Sequence, residues 1–250
     1  MSQTLPEDDK SIHGQADHAV RFDWGLDGAL ATTAGVDAVV VVDILSFTTA
    51  VTIGAEKGVH VYPYRWHDES AAAFADQHGA ILAGDRGEGV SLSPASLRAL
   101  APGSRLVLPS PNGATICAVL SAAGHRVIAG SLRNAIAVGE LVGERGWSVA
   151  VIAAGEQWRR SSGLRPCLED LIGAGAIVAN LGGASRSPEA ASAAAAFVAA
   201  KDDLPTVIGN CASGRELVAR GYPEDVTMAA RYAVTDRVPV LSGQGFFAAS

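Results

Sequence analysis

The chain has 250 residues, of which 48% are hydrophobic and 18% are charged, and its formal net charge is −7. This composition excludes a disordered chain and supplies enough apolar side chains for a large core. The 19 basic side chains form no block, which argues against nucleic acid as a partner. The sequence contains no run of 18 apolar residues, so we expect no membrane partner either.

The three cysteines, Cys117, Cys167 and Cys211, lie far apart and form no C-x-x-C pair. This pattern predicts reduced thiols and a cytoplasmic location. The first ten residues are polar and acidic, unlike a signal peptide. We expect residues 1–15 to form a flexible tail and residues 16–250 to form a single α/β domain.

Short apolar runs alternate with helical patterns along the chain. The predicted strands are Ala38–Val42, Val59–Tyr62, Ala80–Leu82, Arg105–Leu108, Arg126–Ile128 and Ser148–Ala153. The predicted helices are Ser46–Lys57, His67–Gln77, Ala114–Ala122, Asn134–Val142 and Leu168–Leu181. Such alternation is typical of βαβ units, so we predict a mostly parallel sheet flanked by helices. The part from Pro188 onward is predicted to be mainly helical, with an irregular end from Val238.

Polar residues are concentrated where the predicted strands end. These junctions carry Gly, Ser, Thr, Asn or charged residues at positions 43–49, 84–87, 109–113, 130–134 and 154–156. Junctions at the other ends of the strands, such as Glu56–Gly58, are plain. Ligands of open parallel sheets bind beyond the carboxyl ends of the strands, so the asymmetry predicts an active site there.

Asp43 ends the most apolar predicted strand and precedes a helix start rich in Ser and Thr. Its carboxylate suits a divalent cation or a phosphoryl group, whereas the alternative is a helix N-cap. Ser46, Thr48 and Thr49 already offer caps, and we expect all three to contact substrate. A phosphoaspartate mechanism normally uses a D-x-D pair, which is absent here, so metal ligation is favoured for Asp43.

Asp85 and Arg86 are flanked by glycines in a turn, and we predict that both are catalytic. The planar guanidinium of arginine binds two phosphate oxygens at once. The alternative is a surface turn with a solvated ion pair.

Two successive predicted helices begin with turn residues that leave backbone N–H groups facing a ligand. The first contains Asn112 and Gly113, and the second contains Ser131 and Asn134. We predict that these four residues bind the substrate anion, although a turn with an N-cap would explain each motif separately.

Glu169 and Asp170 fall in the first turn of a predicted helix. They are candidate ligands of Mg²⁺, which takes one or two carboxylates, and Glu169 is also a catalytic candidate. The alternative is stabilisation of the helix dipole. For Cys211 we favour a buried structural thiol over an activated nucleophile, because no histidine is near in the sequence.

Taken in order, these motifs resemble the 2-phosphosulfolactate phosphatase family. The matching segments are Asp43–Leu45, Thr48–Thr49, Leu82–Gly87, Pro111–Gly113, Gly130–Ala135, Cys167–Ala176, Cys211–Gly214 and Val238–Pro239. The resemblance extends from about Val39 to Val240 and implies a Mg²⁺-dependent phosphatase with its own α/β fold. It also implies hydrolysis of 2-phospho-3-sulfolactate to 3-sulfolactate and phosphate, a step on the route to coenzyme M.

Two departures from the family pattern bear on the substrate. Ser46 stands where the family commonly has an arginine, and Gly89–Pro94 replaces a longer Gly-Phe-Asp-x-Gly-Asn-Ser-Pro-like segment. The resemblance implies 2-phosphosulfolactate as the substrate. Because an anion-binding arginine is missing at position 46, a related phosphorylated acid is the alternative substrate.

The alternative function is a non-catalytic binder of small anionic metabolites on the same scaffold. Only an enzyme needs carboxylates that hold a metal, so the acidic candidates discriminate between the two functions. A homodimer is an open alternative for the assembly. For the enzyme, Asp43, Asp85, Asn112, Ser131 and Glu169 are predicted to meet in one cleft.

Overall fold

The computed structural model describes residues 12–65, 68–158, 161 and 163–248. None of the helices in these ranges combines the length and the apolar composition needed to cross a bilayer. Most of the expected tail lies outside the described residues. Its last residue, Gln15, is bound to the folded chain, since its side chain forms hydrogen bonds of 2.8 and 3.1 Å with the Phe22 backbone.

Strands and helices alternate through the first two thirds of the described chain. The strands are β1 Val20–Trp24, β2 Ala38–Val42, β3 His60–Tyr64, β4 Ile81–Leu82, β5 Arg105–Pro109, β6 Val127–Gly130, β7 Val149–Ala153, β8 Glu156–Gln157, β9 Leu164–Arg165, β10 Pro239–Ser242 and β11 Gly245–Ala248. The helices are α1 Gly25–Thr32, α2 Phe47–Glu56, α3 Glu69–His78, α4 Gly113–Ala122, α5 Ala135–Arg145, α6 Leu168–Ala179, α7 Pro188–Ala200, α8 Leu204–Asn210, α9 Ala212–Ala219 and α10 Pro223–Ala229. The predicted mixed α/β fold with a mainly helical C-terminal part is confirmed.

The main sheet consists of two parallel groups joined by a hairpin. Its strand order is β1-β7-β2-β6-β10-β11-β3-β5-β4, in which β1, β7, β2 and β6 form one group and β3, β5 and β4 form the other. The hairpin β10-β11 lies between them and pairs antiparallel with both. The expected irregular end from Val238 is therefore wrong. Pro239 and Gly243 interrupt the apolar pattern, and only the strands on either side make the segment a hairpin.

The two parallel groups run in opposite senses, because three antiparallel pairings separate them. The hairpin meets each group at a single registered residue pair, Val240 with Ile128 and Phe246 with Val61. Across these sparse pairings, the twisted sheet brings the ends of β2 and β5 together. The backbone N–H of Gly113, just after β5, donates to Oδ2 of Asp43, just after β2, at 3.1 Å.

Both faces of β2 are buried, as its continuous valine run predicts. Val40 and Val42 pack in a core with α5, α6 and α7. Val39 and Val41 pack in a second core with α2, α4 and residues of β5. The end of β2 is thus fixed from both sides of the sheet.

The sequence analysis did not find β1 and α1, because charged residues interrupt the apolar pattern of β1. One of them, Arg21, is buried, and its Nη1 donates to the carbonyls of Thr32 and Ala34 at 2.9 and 2.8 Å. These carbonyls lie at the end of α1, where helices leave acceptors unsatisfied. The predicted helix from His67 begins at Glu69, where Asp68 caps it, and His67 is outside the described residues.

The crossing of α6 over α7 depends on the absence of a side chain at Gly175. A Cβ atom at Gly175 would overlap the carbonyl of Ala193 in α7. We expect Gly175→Ala to lower the free energy of unfolding by about 3 kcal/mol, because the two helices would have to separate. Urea unfolding measures the change.

Gly143→Ala is the matched control. Gly143 lies in α5, and no described atom lies within 4 Å of a Cβ placed there. This substitution should raise the free energy of unfolding by roughly 0.5–1 kcal/mol through helix propensity. Equal effects of the two substitutions would contradict the close crossing.

Candidate active site

The turn between β2 and α2 is held by two threonines. The Thr48 hydroxyl accepts from the Asp43 N–H and donates to the Asp43 carbonyl, both at 2.9 Å. The Thr49 hydroxyl donates to the Ile44 carbonyl at 2.8 Å. Both threonines are fully buried and bonded to the backbone, and their contact with substrate stays a prediction. Their role is to fix the backbone on which Asp43 stands.

Asp43 is 7% exposed, and both of its carboxylate oxygens accept backbone hydrogen bonds. Oδ1 accepts from Phe47 at 3.2 Å, and Oδ2 accepts from Gly113 at 3.1 Å. Asp43 thus caps the start of α2, in agreement with the alternative interpretation of its sequence position. A carboxylate has about four acceptor sites, so these bonds leave capacity for a ligand.

Gly113 supports Asp43, and its contact with substrate stays a prediction. It is buried, and its N–H is used by Asp43. A Cβ atom at this position would lie 2.6 Å from Oδ2 of Asp43 and from the ring of Phe47. Glycine is therefore required for the close approach of α4 to Asp43.

Asp170 connects the ends of two neighbouring strands. Its Oδ1 accepts from the Ile44 N–H at 2.7 Å, and its Oδ2 accepts from the Gly155 N–H at 2.9 Å. Burial, and after it the negative charges of Glu169 and Asp43, raises the pKa of Asp170 above its ordinary value. Both carboxylate oxygens of Asp170 are thus bonded to backbone N–H groups just after β2 and β7.

Glu169 is buried beside Asp43 and forms one hydrogen bond within the described residues. The donor is the Cys211 thiol, 3.2 Å from Oε2. The preferred interpretation of Cys211, a buried thiol, agrees with the structure, which also places it against Glu169.

Glu156 is a fourth carboxylate of this group, and the sequence analysis did not include it among the site residues. Its Oε1 accepts from Nδ2 of Asn112 at 2.7 Å. Its position directly after a strand was the available signal, because residues 154–156 are one of the polar junctions. Burial raises the pKa of Asp43 to about 6, and the charges of Glu156 and Glu169 contribute to the rise.

The acidic residues can supply only some of the ligands of a magnesium ion. Within the described ranges, no group of three or more His, Cys, Asp or Glu side chains has the arrangement of a metal site. Mg²⁺ needs only one or two carboxylates, with waters and substrate oxygens as the other ligands. Asp43 and Glu169 are the two candidates, since the charge of Glu169 helps to raise the pKa of Asp43 and a cation between them would offset this repulsion.

Arg86 is held inside the protein, so the alternative of a solvated surface turn is wrong. Its side chain is 11% exposed and forms an ion pair with Asp225 of α10. Nη2 donates to the Ser46 hydroxyl at 2.7 Å, and the guanidinium lies 5.4 Å from the Tyr222 ring centroid. Ser46 is buried and holds Arg86, so a direct substrate contact by Ser46 is not what the structure shows.

Three arginines line one cleft of about 740 Å³ at the ends of β3, β4 and β5. They are Arg65, Arg86 and Arg220, and only Arg86 was predicted. Asp85 is exposed and also lines this cleft, beside Arg86. A chain of net charge −7 thus gathers cationic side chains in one place, which favours an anionic ligand there.

Two further clefts share residues with the arginine cleft. One of about 310 Å³ also contains Arg65, together with Asn112 and Thr115. Within the described residues the buried Thr115 hydroxyl has no hydrogen-bond partner. The other, of about 990 Å³, shares Arg220 and contains Glu156. The three clefts adjoin one another around the ends of the strands.

The second predicted anion site, after β6, is closed. The N–H and hydroxyl of Ser131 donate to Oδ1 of Asn134 at 2.8 and 3.0 Å. Nδ2 of Asn134 donates to the carbonyls of Ala129 and Arg237. Both side chains are fully buried and bonded within the protein, and the substrate contacts at Ser131 and Asn134 stay a prediction.

The predicted convergence of five residues holds in part. Asp43, Asn112 and Glu169 lie close together, Asp85 lines the adjoining cleft, and Ser131 is inside the protein. Acidic side chains beside a cleft of arginines on an α/β scaffold are the arrangement found in enzymes that act on phosphate groups.

Comparison with known families agrees with this class. The chain matches the model of the 2-phosphosulpholactate phosphatase family over residues 29–244 and belongs to that family. The family name indicates a phosphatase, that is, a phosphoric monoester hydrolase, with a small phosphate ester as substrate. No curated protein sequence matches the chain.

The raised pKa of Asp43 predicts a dependence of stability on pH. Between the ordinary value of 3.8 and about 6, the unfolded chain loses a proton from Asp43 that the folded chain keeps. The contribution of Asp43 to the free energy of unfolding should therefore fall as pH rises through this range.

We expect the free energy of unfolding of the wild type, relative to Asp43→Asn, to fall by on the order of 2–3 kcal/mol between pH 4 and pH 7. Urea unfolding of both proteins in metal-free buffer gives this difference, and carboxylates that do not interact with Asp43 cancel in the comparison. A difference that does not change with pH would show that Asp43 titrates normally.

Proposed function

We propose that the protein is a magnesium-dependent phosphatase that hydrolyses a small phosphorylated organic acid, 2-phosphosulfolactate or a related ester. The observation that carries the proposal is the cleft lined by Arg65, Arg86 and Arg220 next to the buried carboxylates. Family membership supports phosphate ester chemistry, and the acidic group supports a cation. The free, buried cysteines agree with a cytoplasmic location.

In this proposal the arginines bind the phosphoryl oxygens. The Arg86 guanidinium is oriented by Asp225 and Ser46, and Arg65 and Arg220 add positive charge to the same cleft. Phosphoryl transfer depends chiefly on positioning and on stabilising negative charge, which fixed guanidinium groups provide.

Asp43 and Glu169 would hold the Mg²⁺ ion, which supplies Lewis acidity toward a phosphoryl oxygen when it is bound. Asp170 keeps the ends of β2 and β7 in place beneath them. Glu156 is only partly buried and is oriented by Asn112, so it can accept a proton from water at the cleft.

The departure at position 46 also fits this arrangement. Ser46 stands where resembling sequences carry an arginine, and its hydroxyl accepts from the Arg86 guanidinium. A positive group therefore lies beside position 46 although it comes from a different loop. We infer that the anion clamp is kept and that its position relative to the leaving group is changed, which favours a related ester as substrate.

The first test is a phosphate-release screen over small phosphate esters, with Mg²⁺ and with excess EDTA. We expect Mg²⁺-dependent release from at least one phosphorylated acid, and its loss in Asp43→Asn. Mg²⁺ should also raise the melting temperature of the wild type but not of Asp43→Asn, because binding to the folded state alone stabilises it.

Two outcomes of this screen would overturn the proposal. Turnover that survives in EDTA or in Asp43→Asn would remove the metal mechanism. Phosphate binding without any release would instead favour the non-catalytic binder of anionic metabolites.

The second test concerns Arg86. Arg86→Ala should raise the activation free energy that corresponds to kcat/KM by on the order of 2–4 kcal/mol, which lowers kcat/KM roughly 30- to 1,000-fold. The reason is the loss of a charge-assisted contact to the phosphoryl group. Arg86→Lys should recover only part of this, since it restores the charge but not the planar fork. Steady-state kinetics on the ester identified by the screen measure both.

Arg98→Ala is the control for Arg86→Ala. Arg98 pairs with Glu224, the neighbour of Asp225 on α10, but both members of that pair are exposed. Arg86→Ala leaves a buried carboxylate unpaired, so the assay temperature must be well below its melting temperature. Similar activities of the two variants would return Arg86 to a structural role.

A further inference from the structure

Asp225 has no counterpart among the residues singled out from the sequence. It is 1% exposed and lies on α10, in the C-terminal helical part of the chain. Its Oδ1 accepts from the Ser93 hydroxyl at 2.5 Å and from the Ala95 N–H at 3.2 Å, and its Oδ2 is paired with Arg86. The carboxylate is therefore fixed in place independently of Arg86.

Arg86 uses only part of its hydrogen-bonding capacity inside the protein. Nη1 donates to Asp225 and Nη2 donates to Ser46, whereas Nε has no hydrogen bond to any described residue. A guanidinium carries five N–H donors, so donors are left over at the cleft that Arg86 lines.

Arg133, which is buried and pairs with Glu56, shows what a purely structural arginine looks like in this chain. All three nitrogens of Arg133 are used internally, by Glu56 and by the carbonyl of Met228. None of the clefts described above contains Arg133. The pair of Arg86 with Asp225 differs because one side of the guanidinium is fixed and the other faces the cleft.

We propose that Asp225 is a positioning residue, which orients the Arg86 guanidinium toward the phosphoryl group of the substrate. The inference rests on the proposed binding of the phosphoryl group in the arginine cleft. Ser93 and Ala95 hold the Asp225 carboxylate in place, and the carboxylate in turn holds Arg86.

This role has a kinetic signature that a structural ion pair lacks. Replacing Asp225 by Asn removes a negative charge next to the cleft, so ground-state binding of an anion should become tighter. The orientation of Arg86 is lost at the same time, and a misplacement of about 1 Å can lower the rate of an enzyme roughly 100-fold. Turnover and anion affinity should therefore change in opposite directions.

The experiment compares Asp225→Asn with Glu224→Gln. The two acids are neighbours on α10, and each pairs with an arginine, but the pair of Glu224 is exposed. We expect Asp225→Asn to lower kcat about 10-fold or more while inorganic phosphate inhibits at a concentration more than twofold lower. Glu224→Gln should leave both quantities within twofold of the wild type.

Ser93→Ala is a second variant in case Asp225→Asn does not fold. It removes one bond to the Asp225 carboxylate and leaves the ion pair present, so we expect a fall in kcat of about threefold to tenfold. If kcat of Asp225→Asn and Ser93→Ala stays within twofold of the wild type while both variants are folded, Asp225 only holds α10 in place and the positioning role is wrong.

Titration calorimetry with inorganic phosphate separates this inference from the proposed function, because it requires no turnover. Arg86→Ala should weaken phosphate binding at least tenfold, and Asp225→Asn should change the affinity by more than twofold toward tighter binding. If the wild type releases no phosphate from any ester but shows this pattern, the proposed function fails and the role of Asp225 in orienting Arg86 stands. Phosphate affinities identical in the wild type and Asp225→Asn would overturn the role.

Discussion

The approach of the end of β5 to the end of β2 is the constraint on which the candidate site depends. The parallel groups run in opposite senses, so their carboxyl ends would lie at opposite edges of a flat sheet. The hairpin β10-β11 and the sparse pairings on either side of it allow the groups to fold toward each other. The hydrogen bond from Gly113 to Asp43 joins them, and without it the acidic residues and the arginine cleft would be unrelated.

Burial of charge is the second feature of the site. Carboxylates placed out of water resist ionisation, as the raised pKa values of Asp43 and Asp170 show. The protein keeps these groups because backbone N–H donors hold them and because a cation or a cationic neighbour can offset their charge. Acidic and basic groups at adjoining clefts suit a metal ion and a phosphate dianion together.

The C-terminal helices supply supporting contacts to this site. Cys211 donates to Glu169, Ser213 accepts from Arg165, and Asp225 pairs with Arg86. Each contact is made by a residue that has no obvious chemistry when its own segment is considered alone. Such partners commonly orient catalytic groups, and their loss is felt through the groups they hold.

The sequence by itself determined the strands that are buried on both faces, the alternation of strands and helices, and the polar strand ends. Asp43 and Asn112 were found because they follow predicted strands, and Glu169 was found because it falls in the first turn of a predicted helix. Ser131 and Asn134 have a similar local signal, yet they close on each other, since Oδ1 of Asn134 accepts from both the N–H and the hydroxyl of Ser131. Only the tertiary structure placed Arg65, Arg220 and Asp225 at the site. Their roles depend on contacts between residues far apart in the chain, and no local pattern encodes them.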